Sequence, residues 1–137
     1  MNTPPPMKLE AAAVLTRTAR VWLRDDGLIQ AVVFPNPQPH GLEAAQENMA
    51  AIAEFAVEKK RPVLIDMRAI AGIEREARLY YADGGGRRVA TAAALLIGSP
   101  VSRVIANFLI RLNRPPLPIQ LFASEEAAVT WLKNFIE

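Results

Sequence analysis

The sequence predicts an α/β fold: a mixed, largely parallel five-stranded sheet with helices packed on it, in the order β-β-α-β-α-β-α-β-α. Three observations carry this expectation. Two β-rich runs flank Asp25-Asp26-Gly27 in "ARVWLRDDGLIQAVVF", and Asp-Gly supplies the positive φ of a tight hairpin. "RPVLIDMR" is a short, nearly continuous apolar run, the pattern of a strand buried on both faces of a parallel sheet. From there, strand-like and helix-like segments alternate to the end of the chain, and strand-helix units of this kind join parallel strands through right-handed crossovers.

Taken in order, the hairpin gives strands one and two. "FPNPQPH" then sets prolines at alternate positions, which blocks sheet pairing and favours an extended connection ending near His40. In the first helix Leu42, Ala45, Met49, Ile52 and Ala56 recur at helical spacing, and Lys59 and Lys60 suit its C-terminal end. Strand three ends near Asp66, and "IEREARLYYA" is the second helix. "DGGGRR" follows that helix and precedes the strand "VATAAALLIGS". A phosphate-cradling loop needs the opposite order, leaving a strand and opening a helix, so the glycines read as a flexible helix-to-strand turn, with Gly84 at the helix C′ position. The third helix, "SPVSRVIANFLIRLN", has Ser99 as N-cap, Pro100 in its first turn and an expected buried stripe of Val101, Val104, Ile105, Phe108 and Leu112. After "RPPLP", "IQLFA" is the fifth strand. Ser124 then caps a last helix that places Ala128, Trp131, Leu132 and Phe135 on one face. Residues 1–10 are expected to form a disordered tail and residues 11–137 a single domain.

Composition narrows the function classes. With 51% hydrophobic and 22% charged residues among 137, the chain is long enough for a real core. A net charge of +2 argues against nucleic acid as a partner. The absence of cysteine removes disulfides, thiol nucleophiles and zinc-thiolate sites, and the single His40 supplies no histidine metal cluster, so neither metal nor cofactor is expected. Cytoplasmic localisation fits best: "MNTPPPMKLE" lacks the apolar stretch of a signal peptide, and no apolar run is long enough for a membrane span.

At "VLIDMRAIAGIEREAR" the chain resembles the anti-sigma-factor-antagonist fold, the SpoIIAA-like or STAS superfamily, and its wider layout is similar to bacterial STAS/SEC14-like proteins of unknown function. In the antagonists a strand ends in aspartate, a loop follows, and an aspartate-serine pair opens the next helix, the serine being phosphorylated to control docking. Read without gaps, the strand-ending aspartate falls on Asp66, the apolar loop position on Ile70, the aspartate of the pair on Glu74 and the serine on Arg75. No Ser or Thr lies between Pro62 and Ala90, so the usual phosphoacceptor is missing. The resemblance implies a non-enzymatic regulatory domain that works by protein contact. Its alternative is a SEC14-like carrier of a lipid or other small apolar ligand, and a homodimer is one option for assembly.

Candidate site residues follow. Asp66, Glu74, Arg75 and Arg78, with Glu76 beside them, form either a partner-docking patch beside the strand ends or a solvated helix face. Asp66, at the end of an apolar strand, needs donors, and the N–H groups of the following loop are the nearest. Ser99, Ser102 and Arg103 at a helix N-terminus suit an anion, or simple capping. Tyr80, Tyr81, Phe108 and Trp131 line an apolar pocket or belong to a plain core. His40 has no Cys, Asp or Ser at triad-like spacing, and no Gly-x-Ser-x-Gly elbow is present, which disfavours a hydrolase.

Overall fold

The computed structural model describes residues 13–82, 85–112 and 117–137. The first two strands seen in the sequence close as expected around Gly27, whose φ is +91° and whose N–H donates to Arg24 O at 3.0 Å. They are β2 (Ala19–Leu23) and β3 (Ile29–Val33), because a further strand precedes them: β1 (Val14–Leu15) runs antiparallel to β2. The sheet therefore has six strands, and the order becomes β-β-β-α-β-α-β-α-β-α. β4 (Arg61–Asp66), β5 (Ala90–Leu96) and β6 (Ile119–Phe122) follow as parallel neighbours of β3.

The spatial order of the strands is their sequence order. Right-handed crossovers between successive parallel neighbours bring every connecting helix to the same face. α1 (Leu42–Glu54), α2 (Arg75–Ala82) and α3 (Pro100–Leu112) make those crossovers, while α4 (Glu125–Leu132), which follows the last strand, covers the opposite face. Alternation along the strands follows suit. Val63 and Ile65 point toward α1, α2 and α3, whereas Leu64 packs with Leu96, Ala128 and Leu132 under α4.

Pro62 lies in a strand paired on both sides, where a missing N–H breaks the ladder. The register shifts there, with Arg61 opposite Ala90 and Pro62 opposite Ala92, so Thr91 is the extra residue of a bulge. Its hydroxyl is buried without a hydrogen-bond partner among the described residues.

Two helices depart from their expected registers. α1 ends at Glu54 with Phe55 as C-cap, so Ala56, Lys59 and Lys60 lie beyond it, and Leu42 is exposed. In α3 the buried positions are Ser102, Ile105 and Ala106, with Leu109 packed beside them, while Val101 and Val104 are 45% and 68% exposed and Phe108 is half-buried. The cause is Ser102: a hydroxyl that caps the helix from inside counts as core, and the stripe rotates to follow it. The side chain of Leu112, Gly84 with its C′ assignment, and the tail of residues 1–10 lie outside the described residues. The remainder of the glycine turn, Gly85–Arg88, forms one 3-10 turn between α2 and β5, in the helix-to-strand order. α4 is as expected: Ser124 Oγ accepts from Ala127 N at 3.2 Å, and Trp131 and Phe135 pack beside buried Ala128 and Leu132.

Candidate functional site

A cavity of about 150 Å³ lies under α1 and α2 on the three-helix face of the sheet. It exists because the sheet there carries small side chains. Ala19, Ala31 and Ala93, from three strands, form its floor, where larger aliphatic residues would fill the layer. Val63, Ile65 and Leu95 continue the floor, Met49 and Ile52 of α1 and Leu109 of α3 form walls, and Met67, Ile70 and Ile73 close the end beyond β4.

One end is polar. His40, at the end of the proline-containing connection, is held by its backbone: its N–H donates to Gly72 O at 2.9 Å, and its carbonyl accepts from Glu74 N at 2.9 Å. This short parallel bridge ties the entry of α1 to the entry of α2. Its buried side chain places Nε2 2.8 Å from the Tyr81 hydroxyl of α2 and 3.3 Å from Asn48 Nδ2 of α1. Asn48, also buried, donates to Thr18 Oγ1 at 2.9 Å and accepts from Thr16 Oγ1 at 2.5 Å. Burial lowers the His40 pKa and pushes the Tyr81 phenol well above its usual range, so both are neutral at physiological pH. A buried neutral histidine with its ring nitrogen engaged by the Tyr81 hydroxyl is suited to orienting that neighbour.

The other sequence-predicted residues fall in separate places. Asp66 alternates with Leu64 onto the α4 face, and its carboxylate accepts from Arg68 N at 3.2 Å, Arg68 Nε at 2.9 Å and Arg68 Nη2 at 2.7 Å. The loop donor expected for it is present, joined by a guanidinium whose stem crosses Gly98, where a Cβ would lie 2.9 Å from Arg68 Cγ. Glu74, Arg75 and Arg78 belong to the opposite face. Glu74 precedes α2 and its carbonyl accepts from Arg78 N, while Arg75 is exposed. The Arg78 guanidinium lies 4.8 Å from the Phe108 ring centroid and donates to Ile73 O at 3.0 Å. The sheet thus lies between Asp66 and the other three. At the start of α3, Ser99 Oγ accepts from Ser102 N, and Ser102 Oγ accepts from Gly98 N and Ser99 N, all at 3.0 Å; Arg103 is exposed. The N–H groups expected to face an anion are turned to the chain's own hydroxyls. Of the aromatics, Tyr81 lines the cavity, Phe108 borders a groove on α3, and Trp131 packs with Phe122 under α4.

The sequence reading missed Asn48. Its signal was present as one polar residue within the small-residue face of α1, between Ala44, Ala45, Ala51 and Ile52.

The model of a domain of unknown function, DUF7793, matches residues 21–136, nearly the whole described fold. The chain belongs to the DUF7793 family. No curated protein matches it. Among solved structures, this DUF7793 chain is similar to an uncharacterised DUF3478-family protein with a SpoIIAA-like fold from Shewanella loihica PV-4. The TM-score is 0.58 at 15% identity, over 88% of this chain and 92% of that one. The fold is SpoIIAA-like, as the sequence resemblance implied. A protein of unknown function from Arthrobacter sp. FB24 shares 34% identity over 82% of this chain and 96% of that one, with a TM-score of 0.33.

Proposed function

We propose that this DUF7793 chain is a cytoplasmic, non-enzymatic binding domain that encloses a small apolar molecule between its sheet and helices α1 and α2. The carrying observation is the cavity of about 150 Å³ with an alanine floor and one polar end. Apolar cavities of this size stay dry and accept molecules on the scale of benzene. A long acyl chain needs more room: drug-sized ligands occupy roughly 300–1,000 Å³. Of the two ligands of the carrier alternative, a small apolar molecule fits this volume better than a lipid. No helix among the described residues is long and apolar enough to cross a membrane.

The test is a methyl-NMR titration of the full chain with toluene. Binding in the cavity shifts the methyl signals of Ala31, Ala93 and Ile65 and leaves those of Ala128 and Leu132 under α4 in place. Ala31→Leu fills the space and removes the response while the chain stays folded. Uniform small shifts across both faces, or an unchanged response in Ala31→Leu, contradict the proposal.

One observation favours the protein-contact reading as a second function. Exposed Val101 and Val104 line the groove between α2 and α3, together with Arg78 and Arg111, and Arg75 is exposed at the start of α2. Such an apolar strip with arginines at its margin suits an acidic protein segment. Loss of partner capture on Arg75→Asp at unchanged melting is its test.

A further inference from the structure

The distances at the polar end of the cavity favour one arrangement of protons, and that arrangement selects a ligand. Thr16 Oγ1 accepts from the backbone N–H groups of Thr18 and Ala19 at 3.3 and 3.0 Å, and its own proton goes to the nearer of its two acceptors, Asn48 Oδ1 at 2.5 Å rather than Ala19 O at 3.3 Å. With that oxygen fixed, Asn48 Nδ2 is turned to donate to Thr18 Oγ1 at 2.9 Å and toward His40 Nε2 at 3.3 Å. A ring nitrogen that receives an N–H carries a lone pair, so the His40 proton sits on Nδ1. The Tyr81 hydroxyl, 2.8 Å from the same Nε2, is therefore a donor to it, and as the nearer of the two it takes most of the one lone pair, which leaves the Asn48 contact at 3.3 Å the weaker. The Tyr81 proton is committed, and its oxygen keeps acceptor capacity.

We infer that the cavity selects a neutral, benzene-sized molecule carrying one hydroxyl, an alcohol or phenol, which donates its hydrogen bond to the Tyr81 oxygen. This rests on the cavity being a ligand site. A ligand whose polar group only accepts, such as an aldehyde, finds the Tyr81 proton and one Asn48 amide proton given to His40 and Thr18, and the second Asn48 proton turned toward His40. A carboxylate fares worse, since no Lys or Arg among the described residues lines the cavity and an unpaired buried charge is strongly disfavoured. Without an acceptor, burial of a hydroxyl weakens binding roughly 5- to 150-fold against the matching hydrocarbon. With the Tyr81 oxygen in place, that loss disappears.

The test is calorimetric titration of the full chain with toluene, phenol, benzaldehyde and benzoate, together with long-range ¹H–¹⁵N spectra of the imidazole ring. His40 is the chain's single histidine, so those ring signals need no further assignment. The expected result is phenol bound at least as tightly as toluene, benzaldehyde weaker than toluene by about tenfold or more, and no binding of benzoate. The ring spectra place the proton on Nδ1. Phenol weaker than toluene, benzaldehyde equal to phenol, measurable benzoate binding, or a proton on Nε2 each overturn the selection while leaving the cavity reading intact. Failure of toluene, phenol and benzaldehyde alike to bind the folded chain overturns both.

Discussion

His40 Nε2 stands 2.8 Å from the Tyr81 hydroxyl although 41 residues separate them, and Asn48 closes the group from α1. The parallel bridge between His40 and Ile73 makes this possible, because it fixes the entries of α1 and α2 side by side before either helix contributes a side chain. The cluster is thus a property of the crossover topology, and it marks the one polar end of an otherwise apolar space.

Acidification should loosen the fold through His40. Burial lowers its folded pKa below the ordinary 6.5, so between that value and the folded pKa the unfolded chain binds the additional proton. Stability is therefore fully present above about pH 6.5 and falls as pH drops toward the folded value. Urea melts from pH 7.5 to 5 should show this slope, and His40→Gln should flatten it. Glu47, held low by its hydrogen bonds from Arg17, acts in the same direction only below its ordinary 4.5, outside that window. Equal slopes in both proteins would mean that His40 is already solvated.

Adjacent alanines of β5 should respond differently to enlargement. Ala93 borders the cavity, whereas Ala94 is fully buried against the α4 layer. Ala93→Val should leave stability within about 1 kcal/mol of wild type, since the added methyl groups enter existing space. Ala94→Val should cost about 1–3 kcal/mol through overpacking. Comparable losses in the two variants would place packed side chains where the cavity lies.

Ser102→Ala should destabilise the chain by about 1–3 kcal/mol, because the N–H groups of Gly98 and Ser99 lose their acceptor at a fully buried position. Ser99→Ala removes an N-cap acceptor and should cost about 1 kcal/mol. Chemical denaturation of the two variants gives the ranking. A neutral Ser102→Ala would show that water replaces the hydroxyl.

Arg75→Asp separates folding from docking. Arg75 is exposed at the first position of α2, where a negative charge suits the helix dipole, so melting should be unchanged within a few tenths of a kcal/mol or slightly raised. Binding of an acidic partner at the α2–α3 groove should be lost. Retention of every partner by the variant would make this surface a solvated helix face.

Much of the frame was legible in the sequence. Val63–Asp66, Ala93–Leu96 and Ile119–Phe122 pair as adjacent parallel strands because continuous apolar runs have few other uses in a chain of this size. β1 was not legible, since Val14–Leu15 is too short to show any alternation. The outward turn of Val101 and Val104 was hidden by Ser102, a polar residue that earns its burial by capping. The site itself could not be read from one dimension. A cavity is missing volume, produced here by alanines on three strands, and its polar end gathers positions 40, 48 and 81 through topology alone. In the sequence His40 reads only as a poor catalyst, while Tyr81 is one of four aromatics that either line an apolar pocket or belong to a plain core, and of these it is Tyr81 that lines the cavity.

Diffraction from crystals held under xenon pressure tests the central claim most directly. Xenon enters dry apolar cavities of about this volume without needing a hydrogen bond. The predicted result is one strong site enclosed by Ala31, Ala93 and Ile65, close to the His40–Tyr81 end, and its absence in Ala31→Leu. Ordered water filling that space, or side chains closed over it with no xenon bound, would contradict it.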